Sequence, residues 1–371
     1  MNHYPSNVKE KLNSIILSMA EHHWLFSQNP GHDFTRQHLG KLSFYDTMRL
    51  IISMGKGSTN DEIMDYFDLD PDLIPSQSAF CQRRRQISLS AFEYLFSEFS
   101  SSFPSTTDKF KDHCILACDG CHVVYATNSD IIEDYNKPRL IDYKGYNHMH
   151  LNGFVDVISK AFLDVVIQPG QQPDEREALH SMLDHFTPDD PQKYIITADR
   201  GYESYDLLFH CELKNLGYVF RVKSPSSPKS ILSYYASELP DDLEEFDVTI
   251  KRFFTDKATN IMKSQSDVYR YINPSKNTPH FYELLRKKHS HLYFLQFRVV
   301  KIKTSENTYE YLITNLPFSF TLDDIRECYH WRWGIEISFR YLKHAAGLLY
   351  FHSKQPEFLK QEIYSRLILY N

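Results

Sequence analysis

Through the first hundred residues, apolar positions recur at helical spacing. In "KLSFYDTMRLIISMG" (41–55), Phe44, Met48, Ile51 and Ile52 share a face and Gly55 marks the stop. "TNDEIMDYF" (59–67) follows, with Thr59 and Glu62 at capping-box spacing. A Pro-bounded break, "DLDPDLIPS", leads into "SAFCQRRRQI" and the apolar-faced "AFEYLFSEF". After the Ser/Pro/Thr-rich "SSSFPSTTDK" (100–109) the pattern changes to short strand-like runs. "CILACDG" (114–120), "HLNGFVDVI" (150–158) and "AFLDVVIQPG" (161–170) read as strands, then "DEREALHSMLDHF" as a helix. "KYIITADRGY" reads as a buried strand, "SYDLLFHCELKNLG" as a helix and "YVFRVKS" as a strand. The order β-β-β-α-β-α-β predicts a mixed α/β layout with helices packed on a sheet. From about 224 to 316, four strand-like runs ("FDVTIKRFF", "DVYRYI", "LYFLQFRVVKI", "TYEYLITNL") predict a β-rich insertion. The expected domains are a helical one over 1–105 and an α/β one over 106–371.

The most unusual pattern is "YHWRWGIEISFRYLKHAAG" (329–347). At 100° per residue, Tyr329, Arg332, Glu336, Arg340 and Lys343 fall within roughly 40° of Glu336, so a helix would carry them as one polar stripe. Cys328, Trp331, Ile335, Phe339, Leu342 and Ala346 form a neighbouring apolar arc. Two readings follow: a solvated ladder of i,i+4 ion pairs, or a row of functional charges.

Composition is that of an ordinary globular protein: 42% hydrophobic and 24% charged residues over 371 positions, enough for two or three domains. Neither a signal peptide nor an apolar run of membrane-spanning length is present, so no membrane partner is expected. The six cysteines are scattered, which fits reduced thiols in a cytoplasm. A net charge of −7 argues mildly against nucleic acid as a partner. Binding follows local charge, however, and carboxylates kept for metal ions lower the sum.

Asp119 in "LACDGC" and Asp199 in "ITADRGY" are placed where strands are expected to end, the usual mouth of an open α/β sheet. With Glu336 they make three carboxylates, which would repel one another unless cations lay between them. Hard oxygen donors suit Mg²⁺ or Mn²⁺. Two such ions about 4 Å apart serve phosphodiester chemistry. Arg332, Arg340 and Lys343 would then grip phosphates. The consecutive Arg83, Arg84 and Arg85 would fan across one side of a helix, either as a solvated face or along a phosphate backbone.

These residues resemble the DDE transposases of insertion sequence family four. That group carries Y-(2)-R-(3)-E-(6)-K, matched in spacing by Tyr329, Arg332, Glu336 and Lys343, while "CDG" and "ADRGY" resemble the settings of its two aspartates. "PSQSAFCQRRRQI" is similar to the DNA-binding region that precedes the catalytic core in relatives. The resemblance implies a ribonuclease-H-like core interrupted by the β-rich insertion and preceded by the helical DNA-binding domain. It implies cut-and-paste transposition by a bacterial-type insertion sequence, with Asp119, Asp199 and Glu336 as ligands of two Mg²⁺ or Mn²⁺ ions. Tyr329, Arg332 and Lys343, together with Arg340 and Arg83–Arg85, would hold DNA. Water nicks the element's end, and the freed 3′-OH then attacks the opposite strand and later the target. Double-stranded DNA, transposon ends and target alike, and a second copy of the chain in a synaptic complex are the implied partners; the protein would be cytoplasmic and associate with the nucleoid when on DNA. Some relatives stack a flipped base on a Trp in the insertion; here Phe253, Tyr269 or Tyr271 would have to serve. Relatives also continue past the helical "EIYSRLILYN", so a truncated C-terminus is expected.

Other signals carry less. "CDGC" lacks a partner pair at zinc spacing. "GKGST" lacks the first Gly of a phosphate loop. "NHMHLNG" and "EHHW" match no ligand spacing, and "HSMLDH" is not a zincin motif. Asp142, Asp156 and Asp164 lack the local setting of Asp119. Competing functions are a catalytically silent, transposase-derived DNA-binding protein or inhibitor, and a stand-alone nuclease on the same fold.

Overall fold

A computed structural model describes residues 4–35, 41–102, 109–137, 145–273 and 278–371. The expected domain boundary at 105/106 and Asp142 lie outside these residues. Five helices come first: α1 (Tyr4–Glu21), α2 (Phe44–Ser53), α3 (Thr59–Tyr66), α4 (Gln77–Gln86) and α5 (Leu89–Ser101). Serine side chains cap the starts of α2 (Ser43), α3 (Ser58) and α4 (Ser76). At α3 the box is Ser58 with Asp61, one residue before the expected Thr59–Glu62 pair, and Glu62 instead accepts from Gly57 N at 2.7 Å. Phe44, Met48, Ile51 and Ile52 are buried as the pattern predicted.

The α/β part runs β1 (Cys114–Tyr125), β2 (Tyr135–Asn136), β3 (Tyr146–Asp156), β4 (Ala161–Pro169), α6 (Glu175–His185), β5 (Tyr194–Ala198), α7 (Tyr205–Leu213) and β6 (Gly217–Val222). Then come β7 (Phe246–Thr255), α8 (Asn260–Ser264), β8 (Tyr269–Tyr271), α9 (Pro279–Lys287), β9 (Leu292–Ser305) and β10 (Thr308–Thr314). Three helices close the chain: α10 (Leu322–Trp331), α11 (Trp333–His344) and α12 (Pro356–Tyr370).

Among the described residues, one sheet takes all ten strands, in the order β2-β3-β1-β5-β6-β10-β9-β7-β8 with β4 on β3. β1 is antiparallel to β3 and parallel to β5, which is parallel to β6. The predicted insertion strands all form, but they extend the same sheet through the antiparallel β10–β6 pair rather than making a separate one. Helices α8 and α9 lie between them, unforeseen among the strand signals. Two apolar clusters form. Ala117, Leu151, Val155, Ile335 and Phe339 belong to the one that joins α11, α12 and the N-terminal helices; Cys118, Ile196, Leu179 and Leu208 belong to the one under α6 and α7.

Helix α12 ties the two halves. It buries Leu359, Ile363 and Leu367 and also Gln361, Glu362, Ser365 and Arg366. A helix hidden on so many sides needs its polar groups paired. Arg366 donates to Met54 O, and Asn371 Nδ2 donates to Ser100 Oγ at 2.9 Å and to Phe162 O at 2.8 Å.

Candidate active site

The parallel register of β1 and β5 ends with Cys118 opposite Ala198, where β5 stops. The next residues on the two strands are Asp119 and Asp199, which therefore emerge side by side. Asp119 is not at the end of β1, as expected, but in its middle; it is the neighbouring strand that ends there. Its Oδ1 accepts from Gly120 N at 2.8 Å. Asp199 Oδ1 accepts from Gly201 N at 2.7 Å and so caps the short 3-10 turn Arg200–Tyr202.

Glu336 arrives from the far end of the chain on α11, which packs along β1. The helix predicted through 329–347 is broken once, at Arg332. Arg332 N donates to Tyr329 O and Ile335 N to Arg332 O, both at 3.1 Å, so the backbone tightens to i→i+3 bonds there. Arg332 itself keeps helical φ and ψ (−51°, −34°) and is 5% exposed. Its Nη1 stands 3.6 Å from Asp119 Oδ2 and its Nη2 donates to Glu336 Oε1 at 3.2 Å. The guanidinium lies 5.6 Å from the Tyr329 ring centroid and 5.2 Å from that of Trp333. Tyr329 Oη and Arg332 Nε are buried without an aligned hydrogen-bond partner among the described residues, although the phenol and the guanidinium interact with each other. An anionic ligand would complete such spare donors beside Asp119 and Glu336. Helix α11 ends at His344, and the chain then turns away through a left-handed Gly347 (φ 82°), with Leu348 N donating to Leu342 O at 3.1 Å.

Burial pushes the Asp119 carboxyl up to about 6; the Gly120 N–H and Arg332 oppose this, while the charges of Asp199 and Glu336 add to it. The donors here are hard oxygens in excess of cationic partners, which fits divalent ions of the Mg²⁺ or Mn²⁺ kind. The carboxylates converge without touching. Among the described residues, the group whose three ligand atoms all lie within 4.8 Å is a histidine trio elsewhere.

A fourth carboxylate was not foreseen. Glu175, the first residue of α6, pairs through Oε1 with His150 Nε2 at 3.1 Å. A Cβ on Gly201 would lie 2.9 Å from Asp199 Oδ1 and 3.3 Å from Glu175 Oε2, so the two acids border the same turn. In sequence, Glu175 reads as an ordinary acid in a helix's first turn, indistinguishable from Glu177. The glycine of "CDG" now has a reason. A Cβ on Gly120 would stand 2.2 Å from His150 Nε2 and 2.9 Å from Glu175 Oε1. Gly120→Ala should therefore displace the His150–Glu175 pair and cost about 1–3 kcal/mol in chemical denaturation, the usual toll of overpacking. Unchanged stability would mean that the pair moves freely.

Lys343 approaches Cys121, two residues along β1 from Asp119, and partly offsets the burial that pushes the Cys121 thiol up to about 11. Arg340 is exposed on α11. The three arginines of α4 do not act as one face. Arg85 is exposed and Arg83 half-buried, but Arg84 is only 4% exposed. It donates to Glu362 Oε1 at 2.8 Å, Gln361 Oε1 at 3.0 Å and Phe358 O at 2.7 Å, all on α12. Its guanidinium is used up inside the protein, which corrects the expectation that it faces DNA. Arg84→Ala should cost about 3 kcal/mol, because buried Glu362 keeps its contacts with His352 but loses its guanidinium partner. Arg85→Ala should leave the melting temperature within experimental error. Equal melting temperatures for both variants would contradict this reading. Phe253 and Tyr271 are exposed on β7 and β8 at the outer edge of the sheet, and Phe253 packs against Tyr269 (6.0 Å) and Phe294 (5.2 Å).

No curated protein matches the chain. Among solved structures it is similar to the piggyBac transposase in a cryo-EM synaptic complex with hairpin DNA, at 11% identity over 97% of this chain and 71% of that one, with a TM-score of 0.44. Residues 110–371 match the family model described as transposase DDE domain. That span holds Asp119, Asp199, Glu336 and every element that positions them, and the chain belongs to the transposase DDE domain family.

Proposed function

We propose that this chain is the transposase of a bacterial-type insertion sequence, which binds the element's inverted-repeat ends and cuts and joins DNA there. The observation that supports the reading is Arg332 between Asp119 and Glu336, with Asp199 next to Asp119 on the neighbouring strand, within a DDE-family domain. The strand order β4-β3-β1-β5-β6, antiparallel up to β1 and parallel beyond it, supports a ribonuclease-H-like core.

Asp119, Asp199 and Glu336 would hold two divalent ions, Mg²⁺ or Mn²⁺. Ions bound there would supply an acidified water or hydroxyl and shield charge on the leaving oxygen. The chain's own residues do the rest. Arg332 presents a planar fork, pre-set by Tyr329 and Trp333, that bridges the carboxylates and a phosphate. Tyr329 Oη and Arg332 Nε offer buried donors to phosphate oxygens. Lys343 and Arg340 extend the cationic row along α11, and Arg83 and Arg85 offer positive charge on the N-terminal helices. Glu175 with His150 braces the Asp199 turn as a positioning pair. Two copies of the chain would hold two ends in one synaptic complex, with target DNA entering afterwards. The protein would work in the cytoplasm, on the nucleoid.

The test is product mapping on DNA that carries the inverted repeats flanking the gene, with Mg²⁺. A transposase leaves 3′-OH breaks at the repeat tips and then joined products. Cuts scattered along the DNA would instead indicate a nuclease, and binding without breaks a silent derivative.

A further inference from the structure

Away from the carboxylates, three histidines distant in sequence meet on the side of the sheet covered by α6 and α7. His180 comes from α6, His210 from α7 and His280 from the first turn of α9, within the insertion. Their rings stack nearly parallel, with centroids 4.4 Å apart for His180–His280, 3.8 Å for His210–His280 and 5.2 Å for His180–His210. One ligand nitrogen from each lies within 4.8 Å of the other two. "HSMLDH" carries His180 but shows none of this in sequence, because its partners are on other elements.

Two carboxylates stand behind the rings. Asp206 Oδ2 is 2.7 Å from His280 Nδ1 and 3.6 Å from His180 Nε2, while its Oδ1 accepts from His280 N at 3.1 Å and Phe281 N at 3.2 Å. Asp184 Oδ1 is 3.2 Å from His210 Nε2. Between His180 and His210 the two Nδ1 atoms are 2.9 Å apart.

Two neutral imidazoles carry one proton each, enough for the contacts of His210 with Asp184 and with His180. The 3.6 Å from His180 Nε2 to Asp206 Oδ2 is too long for a hydrogen bond. When each ring instead turns its N–H to the carboxylate behind it, the two Nδ1 lone pairs face each other and are free for a ligand. His280, whose Nδ1 is engaged by Asp206, keeps Nε2 for a ligand.

We propose that His180, His210 and His280 bind one transition-metal ion of the zinc class, which clamps α9 of the insertion onto α6 and α7. Imidazole nitrogens select such an ion over the hard cations that suit the Asp119 site. Metal-bound histidines usually give their second N–H to a carboxylate, the role of Asp206 and Asp184 here. The rings have to fan out of their stack to share an ion in their planes. That movement is rotation about Cβ–Cγ, a soft torsion for histidine. The clamp has a mechanical meaning. Helix α6 begins with Glu175 and α7 follows the Asp199 turn, so the ion would couple the insertion to two elements that frame the carboxylates.

The test uses the full-length protein, stripped with a chelator and titrated with Co²⁺ and then Zn²⁺ by visible absorption and calorimetry. One Co²⁺ per chain should bind with a ligand-field band of low coordination number, Zn²⁺ should displace it, and the melting temperature should rise with zinc. The His180→Asn/His280→Asn double variant should lose the band and weaken zinc binding by roughly 100-fold or more. Should that variant fail to fold, His180→Asn alone, at a half-buried position, must show the same loss. Asp119→Asn should keep the band, which places the ion away from the carboxylates. Absence of the band from the wild-type chain would overturn the proposal, leaving hydrogen bonds among the histidines and aspartates to hold the cluster. A band that survives in the histidine variants would overturn it equally.

Discussion

Replacing Asp119 by Asn should abolish Mg²⁺-dependent DNA cleavage and, in metal-free buffer above pH 6, make the protein more stable. The first effect follows from removing a carboxylate that the reading assigns to the ions. The second follows from the environment of Asp119, whose carboxyl burial pushes up to about 6 from an ordinary value near 3.9. Between those values the folded protein holds a proton that the unfolded chain has released, so ν_N exceeds ν_U. Stability therefore falls as pH rises from about 4 to 6 and stays lowered above that window. The penalty is at most about 3 kcal/mol, the free-energy equivalent of a two-unit shift. Asn keeps an oxygen for the Gly120 N–H and carries no charge. It should raise the melting temperature at pH 7.5 by a few degrees and lose that advantage at pH 4. Added Mg²⁺ should stabilise the wild-type chain and narrow the gap. A lower melting temperature for Asp119→Asn at pH 7.5 without metal would show that its contact with Arg332 outweighs its burial.

Arg332→Ala should lower cleavage by orders of magnitude and also destabilise the fold. An ion-pair ladder on a solvated helix would have made the change worth a few tenths of a kcal/mol. The structure puts Arg332 elsewhere, buried between Asp119 and Glu336 and packed against Tyr329 and Trp333. Removing it leaves two carboxylates facing each other in a half-buried site, a loss of about 2–4 kcal/mol in urea unfolding without metal. Arg332→Lys separates charge from shape. Lysine retains the positive charge and much of the stability but not the planar fork. It should bind repeat-end DNA with near-normal affinity and cleave it at least about 100-fold more slowly, since positioning and charge stabilisation dominate such barriers. Normal cleavage by Arg332→Lys would reduce the residue to a counter-charge.

The sequence made the α/β order legible because each strand of the core is a short apolar run closed by a turn. It made Asp199 legible because Arg200–Gly201 releases the chain from the sheet, whereas the glycine after Asp119 suggests a strand end and β1 in fact runs on to Tyr125. What periodicity could not show is a single tightened turn. Arg332 keeps helical φ and ψ (−51°, −34°) and stays on the same side as Tyr329 and Glu336, but a helical wheel does not report that it is buried there. Arg84 escaped for a different reason: its partners Gln361 and Glu362 are on α12, which by apolar spacing alone is indistinguishable from a half-exposed helix. Glu175 and the histidine trio escaped because their chemistry arises from contacts between elements, between α6 and β3 in one case and among α6, α7 and α9 in the other. Local pattern reports faces; only the packing of faces reports sites.

The central claim is that Asp119, Asp199 and Glu336 together cut DNA at the element's ends. The most direct measurement is single-turnover cleavage of a paired-end DNA substrate in Mg²⁺ by the wild-type chain and by Glu336→Gln, with binding measured on the same DNA. The account predicts 3′-OH breaks at the repeat tips for the wild type, and a rate at least about 1,000-fold lower for Glu336→Gln at unchanged affinity, because backbone phosphate contacts supply most of the binding. Cleavage by Glu336→Gln at a rate near that of the wild type would contradict it.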